Sequence, residues 1–321
     1  MNAVTFLTPV TEEIKLVEER MRIQADEAHP DLRAALDHLL AAGGKRIRPT
    51  LGLLVGNMLG APLEKLVTLG AAVELLHTAT LVHDDMIDGS LLRRGVPTLN
   101  ARWSPPATVL TGDFIFARAA KLAADTDHLP LMKLFSETLA IIVNGELTQM
   151  FTSRGLINRD NYNKRIYAKT ASLFEMTSRS AAMVSPAKEE TIEAMRDFGY
   201  QLGMAFQIVD DILDFTGDQA SVGKPLGSDL HNGLVTLPAI YYAEANPNDP
   251  DVLSLPNGGW TNNDNMTRLV DNIRASGFTK QAMTEAEQHI DRALTRLEKI
   301  EPSAERDALE NLAKYFIDRK V

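Results

Sequence analysis

Apolar residues recur at spacings of three and four along almost the whole chain, and this period constrains the fold more than any other feature. Leu63, Leu66, Val67, Gly70, Val73 and Leu76 set the pattern, which runs on to Leu81. Similar stretches predict helices over residues 11–28, 106–124, 131–151, 189–215, 279–300 and 303–319. Ala, Leu, Met, Glu and Lys fill them, in keeping with helix propensity. Alternating Val/Ile/Thr runs bounded by turn residues, the mark of strands, are nearly absent. Breaks fall at Gly43-Gly44, Gly95-Val96-Pro97, Ser104-Pro105-Pro106, Ser185-Pro186 and Gly223-Lys224-Pro225. Residues 246–265 are rich in Asn, Asp, Pro and Gly; because more helices follow, they read as a surface loop rather than a linker. There is no solenoid-type period. The expectation is a single all-α domain over residues 1–321.

Composition narrows the function. A net charge of −10 gives no electrostatic case for nucleic acid or anionic lipid as a main partner. The absence of cysteine removes thiolate zinc, iron–sulfur and cysteine-nucleophile chemistry. No basic segment precedes an apolar leader and no run approaches eighteen apolar residues, so the reading is cytoplasmic, with no signal peptide and no transmembrane segment.

One local echo stands out. Asp84-Asp85-Met86-Ile87-Asp88 and Asp210-Asp211-Ile212-Leu213-Asp214 share the spacing D-D-x-x-D. Two such matches arise by chance in fewer than about 1% of chains this long. Each lies at the C-terminal end of an apolar helix, before Gly89 and Gly217 respectively, where carboxylates face the negative end of the helix dipole. The first and third Asp are four apart and the second and third three apart, so on a helix they converge on one side. Convergent carboxylates at that end cost stability unless a cation joins them. An all-oxygen donor set suits Mg²⁺ rather than zinc or copper, and Mg²⁺ commonly bridges to substrate phosphates.

Basic residues supply the matching half. Lys45, Arg46 and Arg48 follow Gly43-Gly44, and Arg93-Arg94-Gly95 follows the first acidic triplet. Paired arginines suit bidentate recognition of phosphate. The two halves together predict a divalent-metal diphosphate site.

These residues, in this order, carry a resemblance over nearly the whole chain. Gly43-Gly44-Lys45-Arg46-Ile47-Arg48-Pro49, Leu76-His77, His83 with the first triplet, and Arg93-Arg94-Gly95-Val96-Pro97-Thr98 form its first half. Gly112-Asp113, Gly145-Glu146-Leu147-Thr148-Gln149, Lys169-Thr170, Phe206-Gln207 with the second triplet, Gly223-Lys224-Pro225 and Gly227-Ser228-Asp229-Leu230 complete it. The chain resembles the trans-polyprenyl diphosphate synthases, the head-to-tail isoprenyl transferases. That resemblance implies an antiparallel helical bundle around a deep central cavity, usually as a homodimer. The two triplets would face each other at its mouth and hold three Mg²⁺ ions against an allylic diphosphate (dimethylallyl, geranyl or farnesyl). By the same resemblance, Arg93, Gln149, Lys169, Thr170, Gln207 and Lys224 bind that allylic diphosphate. Lys45, Arg48, His77 and Arg94 bind isopentenyl diphosphate, with Arg46 a weaker member of the cluster.

The implied chemistry is ionisation, condensation and elimination. The allylic carbon–oxygen bond breaks, the isopentenyl double bond attacks the cation, and a proton is lost. Metal ions and aimed Lys and Arg donors stabilise charge on the leaving diphosphate. Apolar walls keep water from the cation. No side-chain base stands out, so the released diphosphate is the expected proton acceptor. Many relatives carry a Lys where this chain has Leu234, which removes one possible diphosphate contact.

In the family, the residue five before the first Asp sets product length, and here it is the small Ala79. Five helical residues are about 7.5 Å of depth, so a growing tail could pass below it, with Leu75, Leu76 or Met150 as floor. The expected product has about thirty to forty carbons, with a twenty-carbon geranylgeranyl product as the alternative. A terpene cyclase or head-to-head condensing synthase is the rival enzyme reading; cyclases usually replace the second triplet with a mixed Asn/Ser/Glu motif and need no second diphosphate site such as Lys45, Arg48 and Arg94. A non-catalytic subunit of a heteromeric synthase would typically lack one triplet, and this chain keeps both. His83 reads as a supporting residue; His29, His38, His128, His231 and His289 read as surface residues.

Overall fold

The computed structural model describes residues 5–152, 154–217 and 226–319. Among them the helical period is realised almost throughout. The helices are α1 (Thr11–Arg22), α2 (Pro30–Ala41), α3 (Ile47–Met58), α4 (Leu63–Ile87), α5 (Leu99–Arg102), α6 (Pro105–Ala124), α7 (Leu129–Phe151) and α8 (Arg159–Ile166). They continue with α9 (Ser172–Met183), α10 (Glu189–Thr216), α11 (Ser228–His231), α12 (Leu237–Ala245), α13 (Pro250–Ser254), α14 (Asn263–Ser276), α15 (Phe278–Leu297) and α16 (Ala304–Asp318). The described residues form an all-α fold with one short hairpin, in which β1 (Leu92–Arg93) pairs antiparallel with β2 (Val96–Pro97).

The chain divides into two compact units. One comprises Met1–Thr138, Met176–Arg196 and Glu301–Leu309; the other comprises Leu139–Glu175, Asp197–Ile300 and Glu310–Val321. In the first unit α4 is the core element. Leu66, Leu69, Val73, Leu75 and Leu76 are each no more than 1% exposed, because α1, α3 and α6 pack around it. Its length and apolar character would suit a membrane span, but most of it is buried inside the protein, as befits a core helix. Pro62 precedes α4, and the helix ends at Asp88, with Gly89 in the left-handed region at φ 63°. That stop places the first acidic triplet on the last turn of a buried helix.

In the second unit Ile208, Val209, Ile212 and Phe215 of α10 join Leu237 and Ile240 of α12, Leu269 and Ile273 of α14, and Ala282 and Ala286 of α15 in one apolar core. Phe174, Phe206 and Phe316 add a cluster of rings with centroids 5.0–5.8 Å apart. Between α8 and α9 the helix widens into a π turn over Tyr167–Ala171, which holds Lys169 and Thr170. Such turns gather at functional sites because they redirect side chains. Glycines on both neighbouring helices let this turn approach closely. A Cβ on Gly145 of α7 would lie 2.4 Å from the Ala168 Cβ, and one on Gly203 of α10 would lie 2.4 Å from the Ala171 Cα.

Two expectations are corrected. Residues 246–265 are held in α13 and two 3₁₀ turns, Leu255–Asn257 and Gly259–Thr261, rather than forming an open loop. Asp249 caps α13 by accepting from the Asp251 N–H, and Asp251 pairs with Arg268 at 2.8 Å. His289 is buried rather than on the surface; its Nδ1 lies 2.6 Å from the Gln201 Oε1. Burial and the nearby Arg292 charge bring its pKa down to about 4.

Because the contact at Gly203 is with backbone, Gly203→Ala must displace the π turn. It should cost about 1–3 kcal/mol of stability, read as a lowered melting temperature, and should reduce turnover by moving Lys169 and Thr170.

Candidate active site

In the first unit, turns bring together residues far apart in sequence. Gly43, at φ 72°, ends the α2 connection, and Arg46, at φ 46°, opens α3 from the left-handed region. Arg94, at φ 53°, and Gly95, at φ 75°, form the two-residue turn of the hairpin. Positive φ at both central positions matches the twist of paired strands, and the cost at Arg94 is held by its contacts. The Arg94 Nη1 donates to the Gly43 carbonyl. A Cβ on Gly44 would approach that Nη1 to 3.0 Å, so the turn and the hairpin meet in tight contact there.

A small cavity at this meeting point is lined by His77, Asp85, Arg93 and Arg94, with Gly43 and Arg46 beside them. Three of the residues expected to bind diphosphates, His77, Arg93 and Arg94, therefore share one wall with Asp85 of the first triplet. Enclosure, then the charges of Arg48, Arg94, Arg93 and Arg46, hold the His77 imidazole well below its usual pKa, so it is neutral at physiological pH. Arg46 has a different role from its neighbours. Its side chain is 9% exposed and pairs with Glu18 at 2.9 Å and with the buried Glu74 at 3.1 Å. Lys45 is exposed and Arg48 half-buried.

The triplets have the same internal pattern. Asp84 and Asp210 are half-buried, whereas the middle members, Asp85 and Asp211, are 6% and 3% exposed. Each middle carboxylate is held by donors of the chain. The Arg93 Nε reaches both Asp85 oxygens, at 2.9 and 3.0 Å. The Tyr162 hydroxyl donates to the Asp211 Oδ2 at 2.8 Å, and the Gln207 Nε2 donates to its Oδ1 at 2.9 Å. Thr170 in turn donates to the Gln207 Oε1 at 2.6 Å. Burial, and then the Asp229 carboxylate, push the Asp211 pKa up to about 7; burial and Asp211 also raise that of Tyr162, which keeps its proton.

Asp88 is exposed at the C-cap of α4. Asp210 pairs with Arg319 at 2.7 Å, and the Arg319 guanidinium stacks 3.9 Å over the Phe206 ring. Asp214 accepts from the Ser228 hydroxyl at 2.7 Å and from the Ser228 and Asp229 N–H groups at 3.1 Å, fixing the start of α11. No three carboxylates or imidazoles converge as a ready metal cage among the described residues. The donor chemistry nevertheless fits Mg²⁺, which uses one or two carboxylates plus substrate phosphates.

Lys169 lies 3.3 Å from Glu146. Gln149 lines a cavity of about 350 Å³ with Tyr162, Arg165 and Leu234. Lys224 lies outside the described residues. Ala79, Leu75 and Leu76 are fully buried, whereas Met150 is 56% exposed and is no core residue. His83 supports α6: its Nε2 lies 3.2 Å from the Val109 carbonyl oxygen, and its ring occupies the space where a Gly112 Cβ would sit.

Residues 29–271 match the Polyprenyl synthetase family. The chain belongs to that family. It is 40% identical to the all-trans-nonaprenyl-diphosphate synthase (geranyl-diphosphate specific) of Rhodobacter capsulatus, over 88% of this chain and 87% of that protein. It is 34% identical to heptaprenyl diphosphate synthase component 2 of Bacillus subtilis, over 97% and 89%. The fold matches the crystal structure of a polyprenyl synthase from Caulobacter crescentus complexed with calcium and isoprenyl diphosphate. The TM-score is 0.91 at 32% identity, covering 99% of this chain and 98% of the other. The chain is thus a prenyltransferase that acts on isopentenyl and allylic diphosphates.

Sequence reading passed over Tyr162, Glu74 and Arg319. Tyr162 had a faint signal: it stands seven residues before Lys169, the spacing of two helical turns, in a segment where no helix was predicted. The other two are partners across long sequence separations and had none. For Arg46 the pairing gives a distinct expectation. Arg46→Ala leaves Glu74 buried without its cation and should lower stability by about 3–5 kcal/mol, measured by denaturant melts, whereas Lys45→Ala, at an exposed site, should leave stability unchanged.

Proposed function

We propose that the chain elongates an allylic diphosphate with isopentenyl diphosphate to an all-trans product of about thirty to forty carbons, as one domain acting as a homodimer. The observation that carries this reading is the shared wall of His77, Asp85, Arg93 and Arg94 at the end of α4, which joins an acidic triplet directly to phosphate-binding side chains. Carboxylates of both triplets, Asp84, Asp85 and Asp88 with Asp210 and Asp214, would hold three Mg²⁺ ions, whereas Asp211, buried with its two oxygens taken by Tyr162 and Gln207, faces the donors of the diphosphate. Asp84, Asp88 and Asp210 are the more accessible members. Bound metal supplies charge neutralisation on the leaving diphosphate.

The chain's own residues do the rest. Arg93, fixed by Asp85, presents its remaining donors to the allylic diphosphate. Lys169, Gln149, Gln207 and Lys224 add donors to the same group and strengthen as charge develops there, with Thr170 holding the Gln207 amide. Arg94, Arg48, Lys45 and the neutral His77 hold isopentenyl diphosphate. Neutral His77 adds a hydrogen bond without a charge that would have to be desolvated. Ala79 leaves space on α4 for the lengthening tail. The similarity to a synthase named as component 2 makes the need for a partner subunit part of the test.

The purified chain alone, given labelled isopentenyl diphosphate, farnesyl diphosphate and Mg²⁺, should yield alcohols of thirty or more carbons after dephosphorylation and chromatography. A stop at twenty carbons would place the floor just below Ala79; no product, with primer and metal varied, would mean that a partner is required. Asp84→Ala and Asp210→Ala should each lower kcat by at least about a thousandfold while retaining the helical circular dichroism. Ala79→Phe should shorten the product, and an unchanged ladder would move the floor elsewhere.

A further inference from the structure

The Tyr162 hydroxyl is one of two donors on a buried carboxylate whose other partner is an amide of the diphosphate site. Tyr162 is 1% exposed on α8, and its ring packs beneath the Arg165 guanidinium at 5.5 Å. From it runs an unbroken series of hydrogen bonds: Tyr162 to Asp211 at 2.8 Å, Gln207 to Asp211 at 2.9 Å, and Thr170 to Gln207 at 2.6 Å. Three separate elements, α8, the π turn and α10, are tied by these bonds.

The chemistry of the series gives it a direction. The Asp211 oxygens both accept, one from Tyr162 and one from Gln207, so the carboxyl group holds the –NH₂ end of Gln207 toward itself and turns the amide oxygen away, toward the Thr170 hydroxyl. Without Asp211 fixed in place, the amide could turn over and present its oxygen to an incoming anion. Thr170 spends its one hydrogen on Gln207, so the hydrogen remaining for an anionic ligand is the second one on the Gln207 Nε2. Tyr162 fixes the far oxygen of Asp211 and so sets the angle at which the near oxygen meets Gln207. A phenylalanine would fill the same space and lose only this bond.

We propose that Tyr162 is a positioning residue for the allylic diphosphate, acting through Asp211 to orient the Gln207 amide and the Thr170 hydroxyl. The inference rests on the reading of this site as the allylic diphosphate site, and it makes Asp211 an orienting group rather than a metal ligand. It predicts a selective effect. In Tyr162→Phe the KM for the allylic diphosphate should rise about tenfold, while the KM for isopentenyl diphosphate and the Mg²⁺ concentration for half-maximal rate stay unchanged.

A double-mutant cycle with Gln207→Ala tests the route. If Tyr162 acts through Gln207, Tyr162→Phe adds nothing further to the loss of allylic affinity in the Gln207→Ala background. Calorimetric binding of a thiolo analogue of the allylic diphosphate, which cannot ionise, gives the same comparison without turnover. Additive losses, equal losses for both substrates, or a shifted Mg²⁺ dependence would overturn the proposal. Should Tyr162→Phe fail to fold, Asp211→Asn takes its place with the same expected selectivity, and unaltered allylic binding in that variant would also overturn it. A wild-type chain that binds the thiolo analogue but makes no polyprenyl product would count against the elongation reading, not against this one.

Discussion

Acidic side chains crowd the ends of two buried helices, and neutralising that charge organises much of the structure around them. The last turn of α4 and the last turns of α10 already carry the negative end of a helix dipole, and each adds three carboxylates. A carboxylate as buried as Asp85 or Asp211 is tolerable only when hydrogen-bonded or paired. Both are: Asp85 by Arg93 from the hairpin, and Asp211 by Tyr162 and Gln207. Arg319 serves Asp210, and the first backbone N–H groups of α11 serve Asp214. The hairpin, α8 and the C-terminal residues are each tied to an acid of a triplet. Two of these donors, Arg93 and Gln207, are also among those proposed for the allylic diphosphate.

Close approach is the second requirement. Side-chain bonds of 2.6–2.9 Å join α8, the π turn and α10, and the π turn also packs closely on its neighbours. Gly145 and Gly203 provide this on either side of the π turn. In the first unit the Arg94-Gly95 turn and Gly44 do the same for the cationic cluster, with left-handed backbone at Arg46 and Arg94 as the cost.

Much of the helical framework was legible in the chain because burial imposes a period of 3.6 residues. The stretch beginning at Leu63, the one over residues 106–124 and the one over residues 189–215 all form helices with ends close to those expected. Punctuation was read less well. The break at Gly95-Val96-Pro97 is part of a hairpin whose strands are too short to show alternation, and its turn uses Arg rather than the usual Asn or Asp. The residues rich in Asn, Asp, Pro and Gly after Asn246 form short helical turns because Asp249 caps one and Asp251 pairs with Arg268. His289 gave no sign of burial, since its partner Gln201 lies 88 residues away.

The sequence by itself determined the fold class, the two acidic triplets and the basic clusters that match them, because these depend on period, spacing and residue type along the chain. The family membership followed from the order of those motifs. Tertiary structure alone decided which member of each triplet is buried, that Arg46 serves Glu74 and Glu18 rather than standing with its neighbours, and that Tyr162 joins the site. Those outcomes depend on which donors reach a carboxylate across tens of residues of intervening chain. Hydrogen bonds and ion pairs act over about 3 Å, a distance set by helix packing and absent from local pattern.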